Sequence, residues 1–466
     1  DTLDLFTLDN LRFILGTEVE SALTTPSGMK KAIEKYYGSS EGKEFSTLYE
    51  ELTQSDIQFG REEAGDEDDA NPEDDAPVIK LCTLIISDGL KSRASDIHIE
   101  PMEKILRVRY RVDGSLSEVN SPPKKLQGSV ISRFKIMSNI DIAEKRKPQD
   151  GRIKMSLQGR DIDLRVSTIP TNHGESIVMR ILDKEKSLVS LDALGFHDAD
   201  YQRFQRVIKR PNGIFLVTGP TGSGKTTTLY AGLQELNRPD VKIITAENPV
   251  EYNINGINQC QIRHDINLDF KRILKAMLRQ APNVILIGEI RDKETADIAI
   301  QASLTGHLVF STLHTNDAPS SLTRLIDMGV KPFLCSAAVM AIMAQRLVRR
   351  LCPECKTPYK PTSVDLKSVG MTAEEIKGGT IFGPGNTSCT NCNGNGYRGR
   401  IGVYEMMEMA PEVREAVFQN ANTIKLKQLA IQFGGMATLQ KDGCRKILQG
   451  MTTFPEVLTI THSKDI

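Results

Sequence analysis

The chain has 466 residues, more than one ordinary hydrophobic core accommodates, so two or three domains are expected. It is 39% hydrophobic and 26% charged with no Trp, the balance of a globular protein. A net charge of -1 argues against a protein that coats nucleic acid. No run reaches the roughly 18 consecutive apolar residues of a membrane span, and no secretory signal opens the chain. The chain begins at Asp1 rather than Met, so it is read as trimmed, with functions of a missing N-terminal segment out of view.

Residues 1–60 carry short helical patterns, ending one of them in GMKKAIEKYYG, and read as the remnant of an N-terminal domain. Residues 61–76 contain EEAGDEDDANPEDDA. This acidic, apolar-poor run with one Pro reads as a disordered linker, because like charges repel and extend the chain. Residues 77–185 read as an α+β domain. PVIKLCTLIISDGLKSRA has helical spacing. ILRVRYRVDGSLSEV alternates and turns at Asp113-Gly114, a hairpin signal. RDIDLRVSTIPT and ESIVMRIL are further strands. Strand patterning stops over 186–200, an interdomain linker.

Residues 201–466 form the third segment. GIFLVT, VKIITAE, NVILIGE and HLVFSTL are short apolar runs separated by helical patterns, which implies a mostly parallel sheet with helices on both faces. VREAVFQNA, TIKLKQLAIQ and LQKDGCRKILQG read as helices. The fold class expected from these patterns is α/β, a parallel-sheet core preceded by a smaller α+β domain.

GPTGSGKTT follows GIFLVT and opens the helical run TTTLYAGLQEL. Gly219 to Thr226 fits G-x-x-x-x-G-K-[ST] in the strand–loop–helix context the motif requires. Gly219, Pro220, Thr221, Gly222, Ser223 and Gly224 are the expected phosphate cradle, with Thr227 following in the first helical turn. Lys225 is expected to reach the β- and γ-phosphates, and Thr226 to ligate Mg²⁺. Glu289 ends NVILIGE and Glu247 ends VKIITAE, so either acid is a candidate for orienting the attacking water. Each taken alone reads as a surface or capping acid. His307 and His314 bracket HLVFSTL; a lone His is usually structural, but a γ-phosphate contact is an expectation for this pair.

Four of the eight cysteines, Cys82, Cys260, Cys335 and Cys444, stand singly and read as reduced core residues. Cys352 and Cys355 in CPEC, with Cys389 and Cys392 in CTNC, form two knuckles whose spacer exceeds the usual 15–20 residues. Two such pairs suit a closed tetrahedral S₄ zinc site, with no open position for catalysis. The following NGNGYRGRIGVYE reads as a Gly-rich ribbon turn.

GPTGSGKTT, ITAENPVEY, NVILIGEIRD and TGHLVFSTLHTND resemble the Walker A, Asp box, Walker B and His box of the secretion-superfamily ATPases, in the same order. SRASDIHIEP, YRVDG, KPQDGRI and RVSTIPTNHGESIVMRIL resemble that family's second N-terminal domain, so the likeness spans about 78 to 460. Within the superfamily the chain is most similar to the type IV pilus assembly (extension) branch. The resemblance implies a cytoplasmic homohexameric ATP-hydrolysing motor, peripherally attached to the inner membrane, whose domain closure drives a platform protein. It implies an α/β fold, a RecA-like P-loop ATPase domain with a parallel-sheet core preceded by a smaller α+β domain and carrying a four-cysteine zinc module at 350–400. It also implies ATP, Mg²⁺ and Zn²⁺ as cofactors, no nucleic-acid partner, and second-messenger binding as a candidate role of the missing N-terminal region. Arg165 and Arg180 match the arginines that reach the γ-phosphate from the smaller domain; on residue pattern alone they read as strand-edge ion pairs. By the resemblance Glu289 is the Walker B acid and Glu247 the Asp-box acid that handles the attacking water; the box departs from the common EDP, and Glu247-Asn248-Pro249 leaves Glu247 as its acid. The four-cysteine module is shared by assembly and secretion ATPases and lacking in retraction ATPases. The alternatives are a type II secretion ATPase, a nucleotide-responsive scaffold with little turnover, and a DNA translocase of similar core, which the near-neutral charge disfavours.

Overall fold

A computed structural model describes Thr25 and residues 76–461, apart from residues 120, 158–159, 184–188, 377–378 and 386–387. The expectations for residues 1–60, for the acidic linker up to residue 75, and for 186–188 lie outside the described residues, Thr25 excepted. The chain divides into two units between Leu182 and Asp183.

Among its described residues the first unit is a six-stranded sheet with two α-helices. Helix α1 (Ala76–Lys91) is followed by β1 (Asp96–Pro101), β2 (Leu106–Val112), β3 (Ser115–Glu118), α2 (Gln127–Met137), β4 (Gln149–Leu157), β5 (Arg160–Thr171) and β6 (Gly174–Asp183). The strand order is β3-β2-β1-β6-β5-β4. The hairpin expected at Asp113-Gly114 joins β2 to β3, with Val112 opposite Ser115. Both turn residues have positive φ, 49° and 89°, the primed turn that matches strand twist. Period-two alternation puts Ile97, Val108, Leu164 and Ile177 on one face, where Leu81, Ile85 and Phe134 of the helices cover them. The opposite face is rich in arginine. Glu100 there pairs with Arg107 and Arg109, and Asp96 pairs with Arg180.

The second unit is built on a seven-stranded sheet. In chain order it comprises α3 (Asp198–Ile208), β7 (Gly213–Thr218), α4 (Lys225–Leu236), β8 (Ile243–Glu247), β9 (Asn258–Gln261), α5 (Phe270–Met277), β10 (Val284–Ile287), α6 (Lys293–Leu304), β11 (Leu308–Leu313), α7 (Ala318–Asp327), α8 (Pro332–Ala338), β12 (Val339–Leu351), β13 (Thr357–Pro358), α9 (Ser363–Ser368), β14 (Phe382–Gly383), β15 (Tyr397–Glu408), α10 (Pro411–Phe418), α11 (Thr423–Gln432), α12 (Leu439–Leu448) and α13 (Phe454–Thr461). The order is β15-β12-β7-β11-β10-β8-β9, parallel except for β15 against β12. Alternate residues of the central strands enter two cores. Ile214, Leu216, Ile285 and Val309 face one side, and Phe215, Val217, Leu286 and Phe310 the other. Helices cover both faces, which is why these strands read as unbroken apolar runs.

One strand falls where the sequence reading named no element, and another differs from its expectation. VMAIMAQRLVRRL forms the 13-residue β12, although Met, Ala, Gln and Arg favour helix. The Gly-rich stretch after the second knuckle is strand β15, paired with β12 from Ala341↔Glu408 to Arg349↔Arg400. Pairing along the sheet edge overrides local propensity here.

In the first unit Lys135 is fully buried, and its ammonium donates to Glu175 at 2.9 Å and to the carbonyl of Glu144 at 2.8 Å. Removing one partner strands the other charge away from water. Lys135→Met is therefore expected to destabilise the first unit by about 3–5 kcal/mol in urea unfolding, and adding Glu175→Leu to recover most of that loss. Equal stability of Lys135→Met and the wild type would show that the pair contributes nothing.

Candidate functional site

The parallel strands β7, β8, β10 and β11 all end at one edge of the second sheet, and the candidate residues collect there. The loop 219–224 leaves β7 and turns into α4, whose N-cap is Gly224 at φ +87° with no side-chain cap. By contrast, Asp292 and Asp317 cap the helices after β10 and β11. The bare helix start leaves first-turn N–H groups and the dipole's positive end for an anion. Gly219 (φ +149°) and Gly224 allow this path. A Cβ on Gly219 would stand 2.5 Å from the carbonyl oxygen of Gln345, and one on Gly224 would stand 2.8 Å from the Gln345 amide nitrogen. The Ser223 hydroxyl is buried with no hydrogen-bond partner among the described residues, as a group facing a phosphate site would be.

The Lys225 ammonium donates to the carbonyls of Gly219 and Pro220 at 2.8 and 3.0 Å, so it lies over the loop. Burial pushes it down to about 8, Glu289 opposing and Arg346 reinforcing the shift. Thr226 and Thr227 follow in the first turn, half-buried. Thr221 and Pro220 form the exposed lip of the loop, beside Gly222.

The two acids occupy different environments. Glu289 lies just past β10, with one carboxylate oxygen 2.7 Å from Arg291 Nε and 3.4 Å from His314 Nε2. Glu247, the last residue of β8, is only 4% exposed. Its carboxylate accepts hydrogen bonds from Tyr230 and Thr245, and from Gln259 at 3.3 Å. Burial raises its pKa above the usual carboxylate range, while those three donors pull the other way. Asn248 beside it is exposed, and the Asn248–Pro249 peptide is cis.

The histidine pair is divided. His314 follows the C-terminal end of β11, on the Glu289 side. His307 precedes the N-terminal end, where its Nδ1 contacts the carbonyl oxygen of Ala302 at 2.9 Å. Six strand residues, about 20 Å, separate the two ends. The structure thus brings His314, and not His307, to the edge that carries the loop. Arg165 and Arg180 lie on β5 and β6 of the first unit, on the face opposite its apolar core; Arg180 pairs with Asp96 at 2.9 Å. The sequence reading missed Gln345 and Arg346, whose signal lay hidden in the unrecognised strand β12.

Cys352, Cys355, Cys389 and Cys392 converge, with all four sulfurs within 4.8 Å of one another. The Cys352–Cys389 and Cys355–Cys392 separations are 3.9 and 3.7 Å. A tetrahedron of sulfurs about 2.3 Å from one ion has edges of about 3.8 Å, so the cluster fits such an ion. The Asn391 amide and the Gly396 N–H donate to the sulfurs of Cys352 and Cys392. The long spacer has its own small core. Leu366, Val369, Met371 and Ile381 pack on Ile447, Phe454 and Val457, and β13 pairs with β14 to close the knuckles.

A phosphate loop between a parallel strand and an uncapped helix, with a lysine opening that helix and an acid at the end of the second strand along, defines a P-loop NTPase. The chain belongs to the type II/IV secretion system protein family, whose model matches residues 71–459, and it is an ATPase. It is 47% identical over 461 residues to the type IV pilus assembly ATPase PilB of Myxococcus xanthus, covering 98% of this chain and 81% of that one. It is 47% identical over 424 residues to the type II secretion system ATPase E of Vibrio cholerae, covering 90% and 80%. Among solved structures it resembles the Legionella pneumophila ATPase DotB in fold, with a TM-score of 0.60 at 20% identity over 82% of this chain and 95% of that one. It likewise resembles the pilus retraction motor PilT with bound ADP, with a TM-score of 0.55 at 24% identity over 82% and 96%.

The lowered Lys225 has a testable consequence. Its charged form attracts phosphates, so nucleotide affinity is full below about pH 8 and falls as pH rises through that value. Titrating a fluorescent ATP analogue from pH 6.5 to 9.5 should show this alkaline limb in the wild type. Lys225→Met should bind weakly with no such limb; an unchanged limb in that variant would assign it elsewhere.

Proposed function

We propose that the chain is the subunit of a homohexameric motor that hydrolyses ATP to drive assembly of type IV pili through an inner-membrane platform protein. The observation that carries this reading is the shared strand edge, where the loop 219–226, Glu289 and His314 meet in a chain so similar to a pilus assembly ATPase. Lys225 and the loop N–H groups hold the β- and γ-phosphates. Mg²⁺, when bound, offsets charge on the phosphate oxygens; Thr226 and Glu289 would hold it, the acid through water. Glu289 orients the attacking water and takes its proton as the bond to the γ-phosphorus forms and the bond to ADP breaks. His314, beside Glu289, orients that carboxylate. Glu247 serves from the end of β8, its carboxyl held by Tyr230 and Thr245, and His307 has a supporting role at the far strand end. Arg165 and Arg180 are proposed to meet the γ-phosphate in the assembled ring, so that turnover depends on assembly. The ring works at the cytoplasmic side of the inner membrane; among the described residues no helix is long and apolar enough to cross a membrane.

The type II secretion ATPase is the second reading, favoured by the Vibrio cholerae relative of equal identity. Deleting the gene decides between them: loss of surface pili with normal exoprotein secretion supports the first, and the reverse supports the second. A wild-type protein that binds ATP without releasing phosphate would select the scaffold instead.

Glu289→Gln should keep nucleotide affinity and thermal stability while phosphate release falls roughly 10²- to 10⁴-fold. Arg165→Ala should fall by about 10³-fold. Turnover at the wild-type rate in either variant removes that residue from the mechanism.

We also propose zinc as the ion of the four-cysteine cluster. Metal analysis should find one equivalent per chain, and Cys352→Ser should lose it and lower the unfolding midpoint. A metal-free wild type of unchanged stability would overturn the assignment.

A further inference from the structure

Strand β12 runs beside β7 only as far as Ala344, which lies opposite Thr218. It then continues past the sheet edge, and Gln345 and Arg346 are the first residues of the overhang. Both stand against the phosphate loop. The Gln345 side chain accepts from Thr228 of α4 at 2.8 Å, and a Cβ on Gly219 would lie 3.0 Å from Arg346 Nη1.

Arg346 is only 6% exposed. Its Nη1 donates to the carbonyl of Gln345 at 3.0 Å. Its Nη2 donates to the carbonyl of Asn316 at 2.9 Å and meets that residue's side-chain oxygen at 3.4 Å. Among the described residues no carboxylate pairs with it. The acids that act on it through space are Glu405 and Asp317, and both are engaged elsewhere. Glu405 accepts from the N–H groups of Ala318 and Leu439, while Asp317 caps α7. A buried guanidinium satisfied by carbonyls alone keeps its full charge at a desolvation cost, which an arriving anion would offset.

The Asn316 contact gives that charge a second role. The turn 314–317 is tied on one side by the Thr315 N–H to Thr218 Oγ1, at 2.8 Å. Arg346 ties its other side. The turn carries His314, 3.4 Å from the Glu289 carboxylate.

We infer that Arg346 is a positioning residue for ATP hydrolysis: a fixed cation beneath the phosphate loop that strengthens triphosphate binding and locks the His314 turn beside Glu289. The inference rests on the reading of 219–226 as the triphosphate site. It acts through the loop and the turn, not by touching the reacting atoms. Charge and fork geometry are separable, because lysine keeps the first and loses the second.

The test uses the full chain, a fluorescent ATP analogue for affinity, and phosphate release from Mg-ATP for turnover. Arg346→Gln should weaken binding roughly tenfold at low salt and flatten its salt dependence. Arg346→Lys should keep affinity within about twofold and lose kcat roughly tenfold at unchanged KM. Wild-type affinity in Arg346→Gln, or an equal loss in Arg346→Lys, overturns the charge role. Wild-type kcat in Arg346→Lys overturns the positioning role. If the glutamine variant does not fold, the lysine variant alone decides, since wild-type kcat and KM together sink the inference. Lys225→Met separates the two levels. If it binds the analogue as the wild type does, the phosphate-site reading fails. If it loses binding while both Arg346 variants behave as wild type, only the present inference fails.

Discussion

The active edge of the second unit depends on the close packing of the loop 219–224 against the overhanging part of β12. A phosphate cradle needs N–H groups turned toward one point, so its backbone must adopt positive φ and cannot be stiffened by side chains. The stiffness is supplied from outside. Gln345 reaches Thr228 in α4, and the carbonyl oxygen of Gln345 lies where a Cβ on Gly219 would collide. Any residue larger than glycine at 219 would push the loop off β12, and the helix start would lose its aim. The antiparallel partner β15 holds the overhang itself straight, pairing with β12 through Arg349↔Arg400.

That dependence explains which parts of the protein were legible in its sequence. β7, β10 and β11 lie between two cores, so each reads as a short unbroken apolar run. The β2–β3 turn was legible because Asp113-Gly114 suits a turn with positive φ at both positions. β12 was not legible, since Ala341, Met343, Ala344 and Gln345 carry helical propensity and gain their strand form from neighbours on both sides. With β12 unseen, Arg346 was one more arginine in a basic stretch. The four cysteines were legible as a cluster from residue type and pairing. The fold of their spacer was not, because Leu366 and Ile381 find their partners far along the chain, in Ile447 and Phe454.

The histidines and acids show a finer limit. A sequence shows that His307 and His314 flank one strand, but a strand has two ends, and in a parallel sheet only the C-terminal ends converge on the loop. Glu247 and Glu289 are alike in sequence, each closing an apolar run. What separates them is Tyr230, projecting from α4 onto Glu247, with Tyr252 packed edge-on against its ring at 4.7 Å. This contact arises only once α4 lies on the sheet. It buries one acid and leaves the other beside Arg291 and His314.

The electrostatics follow from the same arrangement. Lys225 and Arg346 place two cations at the loop: Arg346 helps to push Lys225 down, and burial lowers Arg346 itself. Glu289 is the acid that opposes the shift in Lys225. Glu247, at the end of β8, is held in its own ring of donors. The free site is therefore biased toward anions by construction. On the proposed reading a triphosphate would bring counter-charge to the two cations as it binds, while Glu289 stays beside Arg291 and His314. A single-site view of the motif, lysine and glycines alone, would miss why the loop needs a neighbouring strand that carries a charge of its own.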